Sequence, residues 1–149
     1  SNIEFSSDFI IGYPGEDDQD FKDTLNLIKK VNFINSYSFI FSPRPGTIAE
    51  NLELVDKKIT TERLEKIQHL LSENQIRANK LLENKTIKVL AENLTDDKTK
   101  LFGRSEHMTP VIFNGNEDDV GKTLLVKIGQ SNRNTLFGEK LNISNKKVA

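Results

Sequence analysis

The sequence predicts an α/β segment followed by a small antiparallel β-barrel. Phe9-Ile10-Ile11 and Tyr37-Ser38-Phe39-Ile40-Phe41 are short apolar runs, and each stops at a Pro-Gly loop. An amphipathic helical pattern lies between them. Past about residue 82 helical periodicity gives way to short alternating runs separated by turn residues. The charge balance changes in the same region. Residues 1–84 carry 10 Lys+Arg against 14 Asp+Glu, a net of −4, whereas residues 85–149 carry 11 against 8, a net of +3. These observations divide the chain into residues 1–82 and residues 83–149.

Ser7–Ile11 reads as a short buried strand, because its apolar residues are consecutive, as when both sheet faces are covered. Gly12-Tyr13-Pro14-Gly15-Glu16 follows as a loop. Glu16, Asp17, Asp18 and Asp20 then cluster where negative charge suits a helix start. Phe21, Leu25 and Ile28 recur at helical spacing, with Thr24, Leu27 and Val31 beside them. Lys29 and Lys30 fall in the last turn, and Asn32 and Asn35 bracket the exit. Ser36–Phe41 is the second strand, which completes a right-handed βαβ unit. Two strands ending in Pro-Gly loops suggest one rim of a parallel sheet, where ligands bind at the carboxyl ends of strands.

The second loop, Ser42-Pro43-Arg44-Pro45-Gly46-Thr47, is stiff. Its prolines fix φ and bias the residues before them toward extended backbone, while Gly46 permits a sharp bend. Arg44 is the lone cation on it. Residues 42–59 read as loop throughout. Thr60 or Thr61 is then expected to cap a long helix reaching about Asn84. Its stripe is Leu64, Ile67, Leu71, Ala78 and Leu81, interrupted by Asn74, which fits packing against the preceding sheet better than a coiled coil.

In the second part Ile87, Val89 and Ala91 alternate with Lys88, Leu90 and Glu92. Leu124, Val126 and Ile128 alternate with Leu125 and Lys127. Val111-Ile112-Phe113 precedes the turn residues Asn114-Gly115-Asn116, and Thr135-Leu136-Phe137 precedes Gly138. About five short strands in this length suggest a barrel of the class that includes oligonucleotide-binding folds. No internal repeat is read from the sequence.

Composition excludes several classes. The chain is 36% hydrophobic and 29% charged, and no apolar run approaches the roughly 20 residues that span a bilayer. No signal-peptide core is present, so a cytoplasmic location is expected. With no cysteine, these residues form no disulfide, zinc-thiolate or iron–sulfur site. The chain opens Ser1-Asn2, and its only methionine is Met108. Phe9-Ile10-Ile11 reads as a central strand without preceding strands to flank it. A piece of a longer protein is therefore expected.

No catalytic constellation is visible. His69 and His107 lack metal-ligand spacing. Asp17-Asp18 and Asp118-Asp119 read as helix-start and turn charges. Gly12-Tyr13-Pro14-Gly15 is neither a dinucleotide fingerprint nor a phosphate-binding loop with its lysine. It either presents backbone groups to a ligand or is a plain βα turn. Arg44 either grips a carboxylate or phosphate bidentately or is a surface arginine. Arg104, Lys127, Arg133 and the Asn132/Asn134 pair are candidates for RNA phosphates and sugars, against a merely solvated surface.

Asp8-Phe9-Ile10-Ile11-Gly12-Tyr13-Pro14-Gly15-Glu16 and Phe39-Ile40-Phe41-Ser42-Pro43-Arg44-Pro45-Gly46-Thr47, in that order, resemble the C-terminal half of the radical-SAM methylthiotransferases. The nearest type is the MiaB-like, tRNA-modifying one. Gly103-Arg104-Ser105, Val111-Ile112-Phe113-Asn114-Gly115, Val120-Gly121-Lys122 and Asn134-Thr135-Leu136-Phe137-Gly138-Glu139 resemble the TRAM domain that ends those proteins. The resemblance implies the end of a radical-SAM partial (β/α) barrel followed by TRAM. It also implies methylthiolation of isopentenylated adenosine beside the anticodon, using two [4Fe-4S] clusters and S-adenosylmethionine. The cluster cysteines, including a CxxxCxxC motif, would lie upstream. This chain alone is therefore expected to bind no cluster and to be inactive.

By the same resemblance, Gly12, Tyr13, Pro14, Gly15 and Glu16 would lie near S-adenosylmethionine. Arg44 would face the active site, and Arg104, Lys127, Asn132 and Arg133 would help to bind tRNA. Upstream domains of the same protein are the other expected partners. His107-Met108-Thr109-Pro110 departs from the pattern, since many relatives carry Asn or Arg there. Ribosomal-protein methylthiotransferases usually have acidic residues in place of Arg44-Pro45. Enzymes acting on threonylcarbamoyl-adenosine usually have Ser-Lys-Arg or a similar triplet. A ribosomal-protein enzyme and a non-catalytic RNA-binding module are the alternatives.

Overall fold

The computed structural model describes residues 3–141, and the residues beyond them, including the end of the second predicted domain, lie outside the description. The chain forms two compact units, divided between Gln75 and Ile76. In the first, β1 (Asp8–Ile11) and β2 (Tyr37–Ile40) pair in parallel, with Ile10 opposite Phe39. α1 (Asp18–Val31) connects them. Its start is built by Asp17, whose Oδ1 accepts from the N–H groups of Gln19 (2.7 Å) and Asp20 (2.9 Å). The Asp20 carboxylate accepts in return from Asp17 N–H, completing a capping box. Asn32 ends the helix in the left-handed conformation, at φ 56°.

α2 (Lys57–Lys80) packs Ile67 and Leu71 with Phe9, Ile11, Phe21 and Ile28. Asp56 caps it, in place of the expected Thr60 or Thr61. Its Oδ1 accepts from Lys58 N–H (2.8 Å) and Ile59 N–H (3.2 Å). The threonines already lie inside the helix, where both hydroxyls donate to the Lys57 carbonyl. The preceding segment, expected to be all loop, contains one 3-10 turn, Ile48–Asn51. Asn74, which interrupts the apolar stripe, is buried and its amide donates to the Ile28 carbonyl (3.4 Å). Leu81 leaves the stripe and is exposed, because α2 ends at Lys80.

The expectation that both faces of the first strand are covered fails. Phe9 and Ile11 are buried, but Ile10 and Phe39 are 58% and 54% exposed. Only two strands form this sheet among the described residues, and the core lies on one side of it. One βαβ unit is what these residues contribute to any (β/α) barrel; the rest of such a barrel is not in them.

The second unit is a closed five-stranded barrel. Its strands are β3 (Thr86–Leu94), β4 (Leu101–Ser105), β5 (Pro110–Phe113), β6 (Thr123–Ser131) and β7 (Leu136–Lys140), in the spatial order β3-β4-β5-β7-β6. Pairing of β3 with β6 closes it. Val89, Ala91, Leu101, Val111, Phe113, Val126, Ile128 and Leu136 fill the interior. The last turn of α2 is tied to this unit, since the Asn79 amide donates to the carbonyls of Asn132 (2.8 Å) and Arg133 (3.0 Å).

Two expectations are corrected here. The barrel is not wholly antiparallel, because β5 and β7 run parallel. A repeat also exists: Leu101-Phe102-Gly103 and Leu136-Phe137-Gly138 occupy matching places. Each leucine is buried, and each glycine faces the last regular residue before a bulge in a long strand. Gly103 pairs with Ala91 before the register shifts at Glu92, and Gly138 pairs with Ile128 before it shifts at Gly129. The bulges bend β3 and β6 enough to close so small a barrel.

An ion pair secures the turn before β6. Asp119 is buried, and its carboxylate accepts from Lys140 Nζ (2.7 Å) and Asn116 N–H (3.3 Å). The Lys140 hydrogen bond, outweighing burial, holds the Asp119 carboxyl below its ordinary range. A carboxyl depressed on folding contributes stability above its unfolded pKa of about 4, and the contribution is lost as pH falls below that value. Asp119→Asn is therefore expected to cost about 1–3 kcal/mol at neutral pH. In urea titrations the gap between parent and variant should close as the pH is taken toward about 2.

Candidate nucleic-acid interface

The Gly12–Glu16 loop is built as a closed brace. Gly12 adopts φ +73°, and its N–H donates to Glu16 Oε2 (2.9 Å), while Glu16 N–H donates to the Tyr13 carbonyl (2.9 Å). A Cβ at Gly12 would stand 2.3 Å from the Thr60 methyl carbon, so the turn requires glycine twice over. Arg63, only 6% exposed, fixes the brace from α2. Its Nη1 lies 2.6 Å from Glu16 Oε1 and 3.2 Å from the Glu16 carbonyl, and its Nη2 lies 2.8 Å from Asp18 Oδ1. The guanidinium also sits 5.3 Å from the Phe21 ring centre. Burial pushes the Arg63 pKa down, but the hydrogen bonds it donates to Asp18 and Glu16 outweigh this and hold the group charged.

This arrangement assigns parts to the expected cofactor residues. The Glu16 carboxylate is committed to Gly12 and Arg63, so it shapes the loop instead of offering a free ligand group. Tyr13 is exposed and meets Phe41 edge-on at 5.0 Å. Pro14 is half-buried, and Gly15, at φ +91°, faces open space. Tyr13 and Gly15 are thus the residues of the loop that a bound molecule would meet. Arg44 is exposed, and its guanidinium makes no hydrogen bond or ion pair among the described residues. The Arg44 carbonyl accepts from Thr47 N–H (3.2 Å) and Thr47 Oγ1 (2.8 Å), and Gly46 N–H donates to Glu50 Oε2 (2.8 Å). A braced loop carrying an uncommitted cation is suited to an anionic group.

Neither iron–sulfur cluster fits these residues. The chain supplies no thiolate, and the described residues contain no group of three His, Cys, Asp or Glu able to hold a metal ion. His69 pairs with Glu73 (3.4 Å) on the surface of α2.

On the barrel the candidate RNA residues fall in different places. Arg104 is half-buried on β4; its Nε lies 3.4 Å from Glu92 Oε1, its Nη1 donates to the Met108 carbonyl (3.2 Å), and it covers the Phe102 ring at 5.6 Å. Lys127 is exposed on β6. Arg104 pairs across strands with Leu90 in the middle of β3, whereas Lys127 pairs with Thr86 at its start, so register does not place them opposite one another. Asn132 builds the β6–β7 turn, its Oδ1 accepting from Asn134 N–H (2.9 Å) and Thr135 N–H (2.8 Å). Arg133 is exposed at the tip of that turn. Sequence reasoning missed Arg63 and the outward rings Phe102 and Phe137, because it weighed charged residues on loops and strands and not what lies between them.

Residues 80–141, which contain the barrel, match the family model of the TRAM domain. The barrel thus carries the sequence pattern of a TRAM domain. The whole chain also has relatives. It is 63% identical, over 99% of its length, to a tRNA-2-methylthio-N(6)-dimethylallyladenosine synthase from Pelagibacter ubique. Proteins of the same name from Ruthia magnifica and Clostridium novyi are 41% and 42% identical over 92% and 93% of the chain. The chain is thus homologous to these synthases, and it spans about a third of their length: 33%, 31% and 31%. The TRAM match places the barrel candidates Arg104, Lys127, Asn132 and Arg133 inside one domain, and leaves the Gly12–Glu16 and Arg44 loops in the part of the chain that precedes it. Among the described residues no helix is long and apolar enough to cross a membrane.

Proposed function

We propose that this chain is part of a cytoplasmic tRNA methylthiotransferase, in which the TRAM domain docks tRNA and the βαβ unit forms one wall of a radical-SAM active site. The 63% identity over nearly the whole chain, joined to the TRAM match, carries the reading. The whole enzyme would add a methylthio group to isopentenylated adenosine next to the anticodon. S-adenosylmethionine and two [4Fe-4S] clusters would supply the radical and sulfur chemistry from cysteines elsewhere in the protein. In this chain, Tyr13 and Gly15 of the Gly12–Glu16 loop would adjoin S-adenosylmethionine, while Glu16 and Arg63 hold the loop's shape. Arg44 would present its charge to an anionic group in the active site. Arg104, Lys127 and Arg133 would hold tRNA, with Asn132 shaping the turn that carries Arg133.

Two measurements test this reading. In cells lacking the gene, mass spectrometry of tRNA should show isopentenylated adenosine without its methylthio group; an unchanged methylthio level would remove the assignment. The 149-residue chain should bind tRNA with an affinity that falls as salt rises, since cationic contacts release counterions. About three phosphate contacts would give a roughly twenty- to fortyfold loss between about 50 and about 200 mM salt. Binding that ignores salt would remove the docking role.

A further inference from the structure

The outer face of the barrel carries a feature that its charged residues do not explain. Register places Phe102 opposite Ile112, and Ile112 opposite Phe137, so the three form one row across β4, β5 and β7. Their neighbours Leu101, Val111, Phe113 and Leu136 are wholly buried, so the row points outward and is half-buried. Arg104 covers the Phe102 end. The Phe137 end opens onto a surface concavity of about 490 Å³, within the range of small-ligand sites. Phe137, Gly129, Gln130, Lys127, Glu139 and Asn84 are among the residues that line it.

Gly129, at the β6 bulge, stands apart from the barrel's packing glycines. A Cβ at Gly103 or Gly138 would strike backbone oxygen, at 2.2 and 2.5 Å. A Cβ at Gly129 would meet only the Phe137 carbonyl, at 4.0 Å, and its φ lies outside the left-handed region. Packing and backbone conformation therefore do not demand glycine there. Gly129 lines the concavity together with Phe137, so a branched side chain there would project into or beside that space.

We propose that this concavity seats one unpaired RNA base, stacked on Phe137. The inference rests on the tRNA-docking reading and specifies where an unpaired nucleotide is held. The lining chemistry favours a nucleotide over a protein side chain. An aromatic ring offers a stacking surface that every base can use. Gln130 and Asn84 present amides to base edges, and Glu139 can accept from an exocyclic amine. Lys127, the cross-strand partner of Glu139, supplies a cation for the attached phosphate. An apolar peptide would leave this polar wall without partners.

The test uses the 149-residue chain, a fluorescently labelled single-stranded RNA of mixed sequence, and a fully paired hairpin of the same strand. The parent should bind the single strand at least about tenfold tighter than the hairpin. Gly129→Val should lose that preference, about tenfold in Kd for the single strand, with hairpin binding and melting temperature unchanged. Should Gly129→Val prove unstable, Phe137→Leu provides the same comparison. Equal single-strand binding by parent and variant overturns the base seat while leaving tRNA docking intact. Binding of neither RNA overturns both. Gly129 and Gln130 amides protected from exchange by the rest of the full-length protein, and not by RNA, would make the concavity a protein seat and overturn the proposal.

Discussion

Arg63→Met is expected to destabilise the first unit by about 3 kcal/mol, the low end of the cost of removing one partner from a buried pair. The low end applies because the Asp18 carboxylate is largely exposed and can be rehydrated, whereas that of Glu16 is largely buried. Methionine keeps an apolar side chain of similar length but removes the guanidinium from over Phe21 and leaves Glu16 facing Gly12 alone. Arg63→Lys keeps a charge yet cannot span Glu16 and Asp18 with two nitrogens, so an intermediate loss is expected. The local readout is hydrogen exchange at the Gly12 amide, which donates to Glu16. Its protection should drop more than that of the α1 backbone. Equal stability of Arg63→Met and parent in urea would show that the brace holds without its cation.

Much of the fold was legible in the sequence for identifiable reasons. The acidic cluster at 16–20 marked the α1 start because capping and the macrodipole both favour carboxylates there. The alternation around Val89 and Val126 marked barrel strands because inward and outward positions differ sharply. β4 was harder to see as a strand: Gly103 and Ser105 take two of its three inward places, so its buried side carries little apolar signal. The buried face of α2 was hidden in a similar way. Thr60, Arg63, Ile67, Leu71 and Asn74 are all buried at helical spacing, and three of the five are polar. A reading that counts only apolar residues finds Ile67 and Leu71 and misses the cation between them and the loop. Ile10 and Phe39 misled for the opposite reason. Apolar composition indicates what a face tolerates, and the described residues do not contain what would cover it.

The candidate site was legible only as separate pieces. Gly12–Glu16 and Arg44 stood out because Pro and Gly mark where backbone is forced. Their partners lie far along the chain, as with Arg63 and Glu16, and no local pattern joins them. The outward row of Phe102, Ile112 and Phe137 depends on the register of β4, β5 and β7 across the barrel, which no local pattern shows. A one-residue slip would have turned each of these side chains inward.

Gly103→Ala is expected to destabilise the barrel by about 3 kcal/mol or more, at or above the usual range for overpacking. The added carbon would stand 2.2 Å from the Leu90 carbonyl oxygen and 2.9 Å from Val89 Cγ1. The first is backbone in a strand paired on both sides, to β4 and β6, so it cannot retreat without breaking a ladder. Gly138→Ala meets the matching obstacle, the Lys127 carbonyl oxygen at 2.5 Å. The two glycines therefore act as the close-approach points at which bent β3 and β6 are closed over the core. Gly129→Ala separates this steric cause from a general glycine effect. Alanine restricts the unfolded chain equally at all three positions, which alone would stabilise the protein slightly. Thermal and urea unfolding should thus show large losses at 103 and 138 and a change within about 0.5 kcal/mol at 129. Similar losses at all three would mean that backbone flexibility, not close approach, sets the requirement for glycine in this barrel.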